Sequence, residues 1–423
     1  MVWKIVKSSL HRVHKAIRMC FWNIDTSIPK HKPFLILKLP LVPFKLVTEF
    51  MDSNEIIKLS MCSYRLEYFL RLSKYKLKNL NVHLSDKRLR YDLSQSNNFL
   101  SILFRKQKSE KQLESVSKMQ QLCERYYGED YTFLKIEHFS SNTVFDLFKC
   151  ISALFSCPSV RWNFYLDEMN TETMMHYLNL SLAEKCTWFS FMRGNLSTPL
   201  LTELIDKIPV SKRLEIGSDI PIDFKHPNAL KFYITKYNNG RWITLDDLKS
   251  IRNIGWIQLK STIFDCSDVN QFLKYWVNCE EDMMELLELN LREGAIIDED
   301  VLTDQLITVH VEGASSTDFF IKNICEWFDH PPTGHVEIGE DNSIGFSTWE
   351  AIGKRTHVFG ILELLERKKE LEDEISMIEI RENQAGFANF SEEMRQKNYK
   401  YEELRRLEIS LIEQDHPGYR FEI

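Results

Sequence analysis

Glycine and proline are scarce, at 14 and 12 of 423 residues, below the roughly 7% and 5% of an average chain. That excludes collagen-like, linker-like and wholly disordered classes, as does a hydrophobic content of 43%. The nine cysteines are odd in number and scattered from Cys20 to Cys325. With no CxxC pair and no Cys/His cluster, they imply neither a disulfide framework nor a metal site. Reduced thiols, and so a cytoplasmic or nuclear location, are the expectation. A run of about 18 apolar residues is also missing, so no membrane-spanning helix is expected. Positive charge is in deficit, with 54 Lys plus Arg against 61 Asp plus Glu and a net charge of −7. That balance argues against nucleic acid or an anionic membrane as the main partner. Motifs of chemistry are lacking too: no GxGxxG, GxxxxGK[ST], GxSxG or HExxH occurs, so no catalytic, cofactor-binding or metal-binding residue is assigned and no enzyme is expected.

What is present divides the chain. At roughly 100–200 residues per domain the length calls for about two to four folded units. Residues 1–32 form an extension whose first part interleaves Lys4, Lys7, Arg12, Lys15 and Arg18 with Trp3, Ile5, Val6, Leu10 and Phe21. It is a basic amphipathic helix candidate, either a leader or surface anchor or a helix docked on its own domain. Residues 33–75 read as three short helices. Pro40 and Pro43 fall where the first begins, Leu46, Val47 and Phe50 supply its apolar face, and Asp52 or Ser53 caps the second. Ile56, Ile57 and Leu59 follow, and Leu66, Phe69, Leu70 and Leu72 point inward on the third. So small a core calls for a partner or a neighbouring domain. Residues 76–129 are locally basic and contain SQSNN and KQKSEKQ, which read as a solvated linker.

From residue 130 to 345, short β-rich runs alternate with helical stretches. The runs are NFYL, WFSF, RLEI, LKFYI, WIQL and LLELNL, and the helices include TETMMHYLNLSL, TPLLTELIDKI, TLDDLKSI behind Thr244 and DVNQFLKYWV after Ser267. A strand-plus-helix unit of roughly 20–29 residues has leucine-rich-repeat dimensions, although no LxxLxLxxN consensus recurs. The fold class expected is therefore α+β to α/β: a three-helix module, a leucine-rich-repeat-like strand and helix domain, and a helical region over 346–423. That last region is either a hairpin packed on the repeat end or a pair of partner-binding helices.

Residues 33–63, PFLILKLPLVPFKLVTEFMDSNEIIKLSMCS, resemble the F-box, and most closely the form in the expanded nematode F-box family. The resemblance rests on Pro33, Phe34, Leu37, Leu39, Pro40, Val47, Phe50, Met51, Asp52, Glu55, Ile56, Leu59, Ser60, Cys62 and Ser63. It implies docking on a Skp-like adaptor, and through it on a cullin, by Leu39, Pro40, Val47, Phe50, Ile56, Ile57 and Leu59. Some of these side chains would instead hold the three helices together. Further on, Trp242, Ile243, Thr244 and Leu245, then Asp268, Asn270, Phe272, Leu273 and Trp276, resemble the type-2 F-box-associated domain over about residues 135–310. The pair implies a non-catalytic substrate-recognition adaptor of a ubiquitin ligase, with an unidentified protein substrate. A repeat scaffold without ligase association is the alternative.

The remaining features read as structural. Cys150, Cys157 and Cys186 sit in apolar settings, and His310 alternates with Val309 and Val311 as on a strand. Ten acids stand against Arg292 alone between Glu280 and His310, an acidic face that is either solvated or meets a basic partner. Trp188, Trp242, Trp256, Trp276 and Trp349 divide between core and binding anchors.

Overall fold

The computed structural model describes residues 39–86, 88–95, 98–105, 131–136, 141–182, 186–311, 318–323, 333–339, 341–349, 356–385, 390–413 and 419–420. The basic segment 1–22, the sequence KQKSEKQ and the side chain of Trp349 lie outside them. The chain forms two compact units, Met1–Asn195 and Leu196–Ile423.

In the first unit, helices α1 (Leu41–Glu49), α2 (Ser53–Cys62) and α3 (Tyr64–Ser73) follow one another closely. Pro40 is the N-cap of α1 and Pro43 lies in its first turn, where a backbone N–H has no intrahelical acceptor to lose. Asp52 and Glu55 close a reciprocal capping box at α2, with Glu55 N donating to Asp52 Oδ1 at 2.8 Å and Asp52 N to Glu55 Oε2 at 3.0 Å. Ser63 caps α3 by accepting from Leu66 N. Phe44, Ile56, Ile57, Leu66 and Leu70 make the core of this module. Leu72, expected inward, is instead exposed, because Leu66 and Leu70 already fill the inward face one turn apart.

Residues 76–105, expected to be a linker, form strands. β1 (Tyr75–Lys76) pairs with β6 (Phe155–Ser156), while β2 (Asn79–Leu84), β3 (Arg88–Gln95), β4 (Asn98–Arg105) and β5 (Tyr131–Ile136) join β7 (Val160–Tyr165) and β8 (Trp188–Asn195) in the order β8-β7-β2-β3-β4-β5. The basic residues masked a period of two: Leu80, Val82, Leu84, Leu89, Tyr91 and Leu93 are buried, while Arg88, Arg90 and His83 alternate onto the other face. Helices α4 (Ser141–Leu154) and α5 (Thr171–Leu182) complete the unit. Trp162, 0% exposed, lies 5.3 Å from the Phe148 ring of α4 at 65°.

The second unit opens with α6 (Thr198–Lys207), which has Pro199 in its first turn. Four parallel strands follow, β9 (Arg213–Asp219), β10 (Ile234–Tyr237), β11 (Ile254–Leu259) and β12 (Met284–Asn290), with α7 (Leu245–Lys249) and α8 (Cys266–Val277) in the connections. Two expectations shift. The strand near LKFYI begins at Ile234, since residues before it form turns, and the α8 cap is Asp265 rather than Ser267. Asp265 accepts from Ser267 N and Asp268 N and so occupies the position that only a residue outside the helix can hold. After α9 (Glu299–Thr303) the sheet turns antiparallel through β13 (Val309–Val311), β14 (Phe319–Lys322), β15 (Thr333–Ile338) and β16 (Ser343–Trp349), with β17 (Tyr419–Arg420) beside β13. Helices α10 (Thr356–Ala385) and α11 (Phe390–Glu413) pack together. Ile361, Leu362 and Leu371 meet Leu407 and Leu411 over Val309 and Phe320, and Arg367 reaches Glu403 at 2.8 Å.

Thr244 caps α7 by a second reciprocal box with Asp247, whose carboxylate also takes the Lys225 ammonium at 2.6 Å. Burial pushes the Asp247 carboxyl up, but the bonds from Lys225 and Thr244 outweigh it and hold it below its ordinary value. A depressed folded value means stabilisation that is complete above the unfolded pKa near ~3.9 and lost as pH falls through the folded one. Asp247→Asn is expected to cost about 1 kcal/mol at neutral pH, a difference that shrinks in acid. Urea unfolding at both pH values reads it, and an equal cost at each would contradict the assignment.

Candidate protein-binding surfaces

The seven docking candidates separate by burial. Ile56 and Ile57 are 0% and 1% exposed and belong to the core of the module. Leu39, Val47 and Leu59 are half-buried, Pro40 is exposed, and Phe50 stands 91% exposed. Beside Phe50 on α1, Val42 and Leu46 are 70% and 55% exposed. Positions 42, 46 and 50 are four apart and so share one helix face. That face is apolar because Phe44 and Thr48 do the inward work: Phe44 packs 5.7 Å from Phe69 of α3, and Thr48 Oγ1 donates to Phe44 O and receives the Tyr75 hydroxyl. The sequence reading did not single out Tyr64 and Tyr68, which with Leu72 form an exposed stripe on α3. Their own i, i+4, i+8 spacing is the signal that was available.

In the second unit the parallel strands bury one face under helices through Leu214, Ile216, Ile257, Leu259, Leu287 and Leu289. Register sets the other face in rows. One runs Ile234, Trp256, Leu286 and Ser347; the next runs Glu215, Lys236, Gln258, Glu288, Gly345 and Glu337. The Lys236 ammonium lies 3.4 Å from the centre of the Trp256 ring, and Gln258 Nε2 donates to Glu288 Oε2 at 2.6 Å. A cleft of about 310 Å³ opens among Gln258, Lys260, Glu288, Glu337, Asp341 and Gly345. Trp256 is half-buried on this face, whereas Trp242 and Trp276 are core. The acidic stretch is partly paired from outside, with Lys274 on Asp304 at 3.0 Å and Arg252 on Glu281.

The first unit carries a polar network on the sheet face opposite its core. Asp92, 7% exposed, accepts from Ser101 Oγ at 2.8 Å and faces His83 Nε2 at 3.0 Å and an Arg90 terminal nitrogen at 2.9 Å. His83 Nδ1 meets the Tyr165 hydroxyl at 2.9 Å and the two rings stack. Burial lowers the His83 pKa more than Asp92 raises it, so the ring is held neutral. Burial also pushes Asp92 up, but His83, Arg90 and Ser101 prevail and keep it an anion. Beside this, Arg161 donates from Nε to Ser190 Oγ at 2.9 Å and lies 4.3 Å over the Trp188 ring, and Arg193 lies 5.1 Å over the Tyr165 ring. Arg90 and Asp92 fall in the stretch expected to be a locally basic linker, because strand register is needed to bring them to His83 and Tyr165.

The cysteines stay structural in setting: Cys186 is buried, and burial pushes the Cys150 thiol up to about 12, far from a reactive thiolate. His310, on β13 as expected, faces Glu299 at 2.9 Å. Among the described residues no group of three or more His, Cys, Asp or Glu is arranged to hold a metal ion, and no helix is long and apolar enough to cross a membrane.

Residues 223–289 match the family described as F-box associated. The match runs from before β10 to Leu289, one residue short of the end of β12, and contains α7, α8 and Trp256. No curated protein and no solved structure matches the chain.

Proposed function

We propose that this protein is the substrate-recognition adaptor of a Skp/cullin/F-box ubiquitin ligase, of the nematode-expanded type. In this reading residues 33–75 are the F-box. Leu39, Pro40, Val47, Phe50 and Leu59 touch a Skp-like subunit, and Ile56 and Ile57 support them from inside. The remainder, a leucine-rich-repeat-like platform of strands and helices, recruits a protein target for ubiquitination. The observation that carries the reading is the solvent-facing apolar row of α1 in a chain that also holds an F-box-associated segment. A Phe side chain left 91% exposed forgoes roughly 1.5–3 kcal/mol of burial, which association with a partner recovers. The chain itself performs no chemistry. It raises the concentration of target lysines near a ubiquitin-loaded enzyme carried by other subunits.

Co-purification with a Skp-like adaptor, with cullin retained, tests this. Leu39→Asp with Pro40→Ala is expected to abolish capture. Binding indifferent to that pair would remove these residues from the interface, and capture of the Skp-like subunit without cullin would favour a scaffold outside the ligase.

A further inference from the structure

We propose that the cleft over Gly345 in the second unit receives an arginine side chain of the recruited protein; that this protein is a ligase target rests on the adaptor reading above. Register builds the slot. Glu288, Gly345 and Glu337 stand side by side on β12, β16 and β15. Neighbouring strands lie about 4.8 Å apart, so two carboxylate-bearing residues flank one without a side chain across roughly 10 Å. The cleft of about 310 Å³ opens there. One wall is fixed, since Glu288 Oε2 accepts from the Gln258 amide at 2.6 Å. The other leans over the floor: Glu337 Oε2 lies 3.9 Å from where a Cβ on Gly345 would stand.

The glycine floor points to an occupant. Glycine inside a strand weakens it, and marks either a crowding neighbour or a place where a ligand comes close. Gly255 and Gly334 are of the first kind, because a Cβ at either would stand 2.7 Å from an aromatic ring, that of Tyr233 or Phe346. Gly345 is not. The nearest atom to its Cβ position is 3.7 Å away, an ordinary contact, and its backbone is not left-handed. Neither packing nor backbone conformation calls for glycine at 345, where a β-branched residue would suit the strand better; what glycine preserves there is the open cleft. The walls choose the occupant. Among the described residues no group of acids converges as a metal site would require. Lys260 and Asp341 also line the cleft, and their opposite charges offset there. An ammonium is a point charge that sits against one wall at a time, whereas a planar guanidinium carries donors on opposite edges and can bond Glu288 and Glu337 together.

Fluorescence anisotropy with the full chain tests the slot, using a labelled Gly-Arg repeat peptide and its Gly-Lys and Gly-Glu counterparts. The arginine peptide is expected to bind more tightly than either, and more weakly at high salt. Glu337→Gln, which removes one wall's charge, and Gly345→Val, which fills the floor, are each expected to weaken that binding about tenfold. Thermal unfolding of both variants is expected at or above the temperature of the unaltered chain, because Glu337 is exposed and a Cβ at 345 meets no clash. An arginine peptide bound no more tightly than the lysine peptide, or affinity unchanged in both variants, would overturn the proposal. So would a Gly345→Val chain that unfolds earlier, since glycine would then serve the fold. The Skp-like capture of the same preparations separates the two readings. Peptide binding by a chain that captures no Skp-like subunit sinks the adaptor role and keeps the site, while capture without peptide binding does the reverse.

Discussion

Replacing Phe50 and Leu46 together by Asp is expected to abolish capture of a Skp-like subunit while leaving the thermal unfolding of the chain unchanged. Both side chains face water, Phe50 at the C-cap of α1 and Leu46 within it, at 91% and 55% exposure, so charging them removes nothing from the folded core. In an interface each would be an anchor whose loss costs upwards of about 2 kcal/mol, roughly a 30-fold loss of affinity apiece at 1.4 kcal/mol per decade. Ile57→Ala is the contrasting variant: Ile57 is 1% exposed, and truncating it is expected to cost about 2–5 kcal/mol of stability. If Phe50→Asp with Leu46→Asp binds as well as the unaltered chain, α1 is not the docking element.

Trp276→Ala is expected to have the largest effect on folding, a loss of about 3–5 kcal/mol. Trp276 on α8 is 3% exposed and meets the Phe346 ring of β16 at 5.0 Å and 75°, a geometry that adds to area burial. A Cβ on Gly334 would stand 2.7 Å from the Phe346 ring and 3.0 Å from both the Trp276 ring and Ile321, so glycine at 334 is fitted to a cluster that Trp276 helps to hold. Gly334→Ala is expected to destabilise by overpacking, about 1–3 kcal/mol, and in the Trp276→Ala background its cost should fall. Chemical denaturation of the two single variants and the double reads this coupling. Additive losses would mean the residues do not share a site.

The helices were legible because their signals are local. Capping residues at Asp52 and Thr244, prolines in first turns at Pro43 and Pro199, and the 3.6 spacing of α5 and α10 all act within a few residues. The parallel strands were legible through short β-rich runs. Residues 76–105 were not, because alternating Leu and Val between Arg, Asn and His looks like a charged linker until partner strands are in hand. The same dependence on pairing hid the His83, Asp92 and Tyr165 cluster, whose members lie on three strands, with Tyr165 82 residues beyond His83 in the chain. On α1 the sequence offered Leu46, Val47 and Phe50 as the apolar face and passed over Phe44, which is the buried one. It could not say that Phe44 and Thr48 would turn inward and leave Leu46 and Phe50 outside, since that depends on where Phe69 and Tyr75 lie.

The join between the three helices and the sheet is short. α3 ends at Lys74 in a left-handed turn with φ 44°, and β1 starts at the next residue. The Tyr75 hydroxyl bonds back to Thr48 on α1, and Ser53 Oγ on α2 donates to Gln95 Oε1 on β3 at 2.7 Å. No tether of variable length separates α1 from the strands that carry Arg90 and Arg161. A rigid join of this kind works as a ruler: whatever is held on that sheet face sits at a fixed offset from whatever is held by α1. In the proposed adaptor, modification of a bound target would then fall at a set distance along its surface, and lengthening the join at Lys74 with a flexible insert would broaden the choice of acceptor lysine.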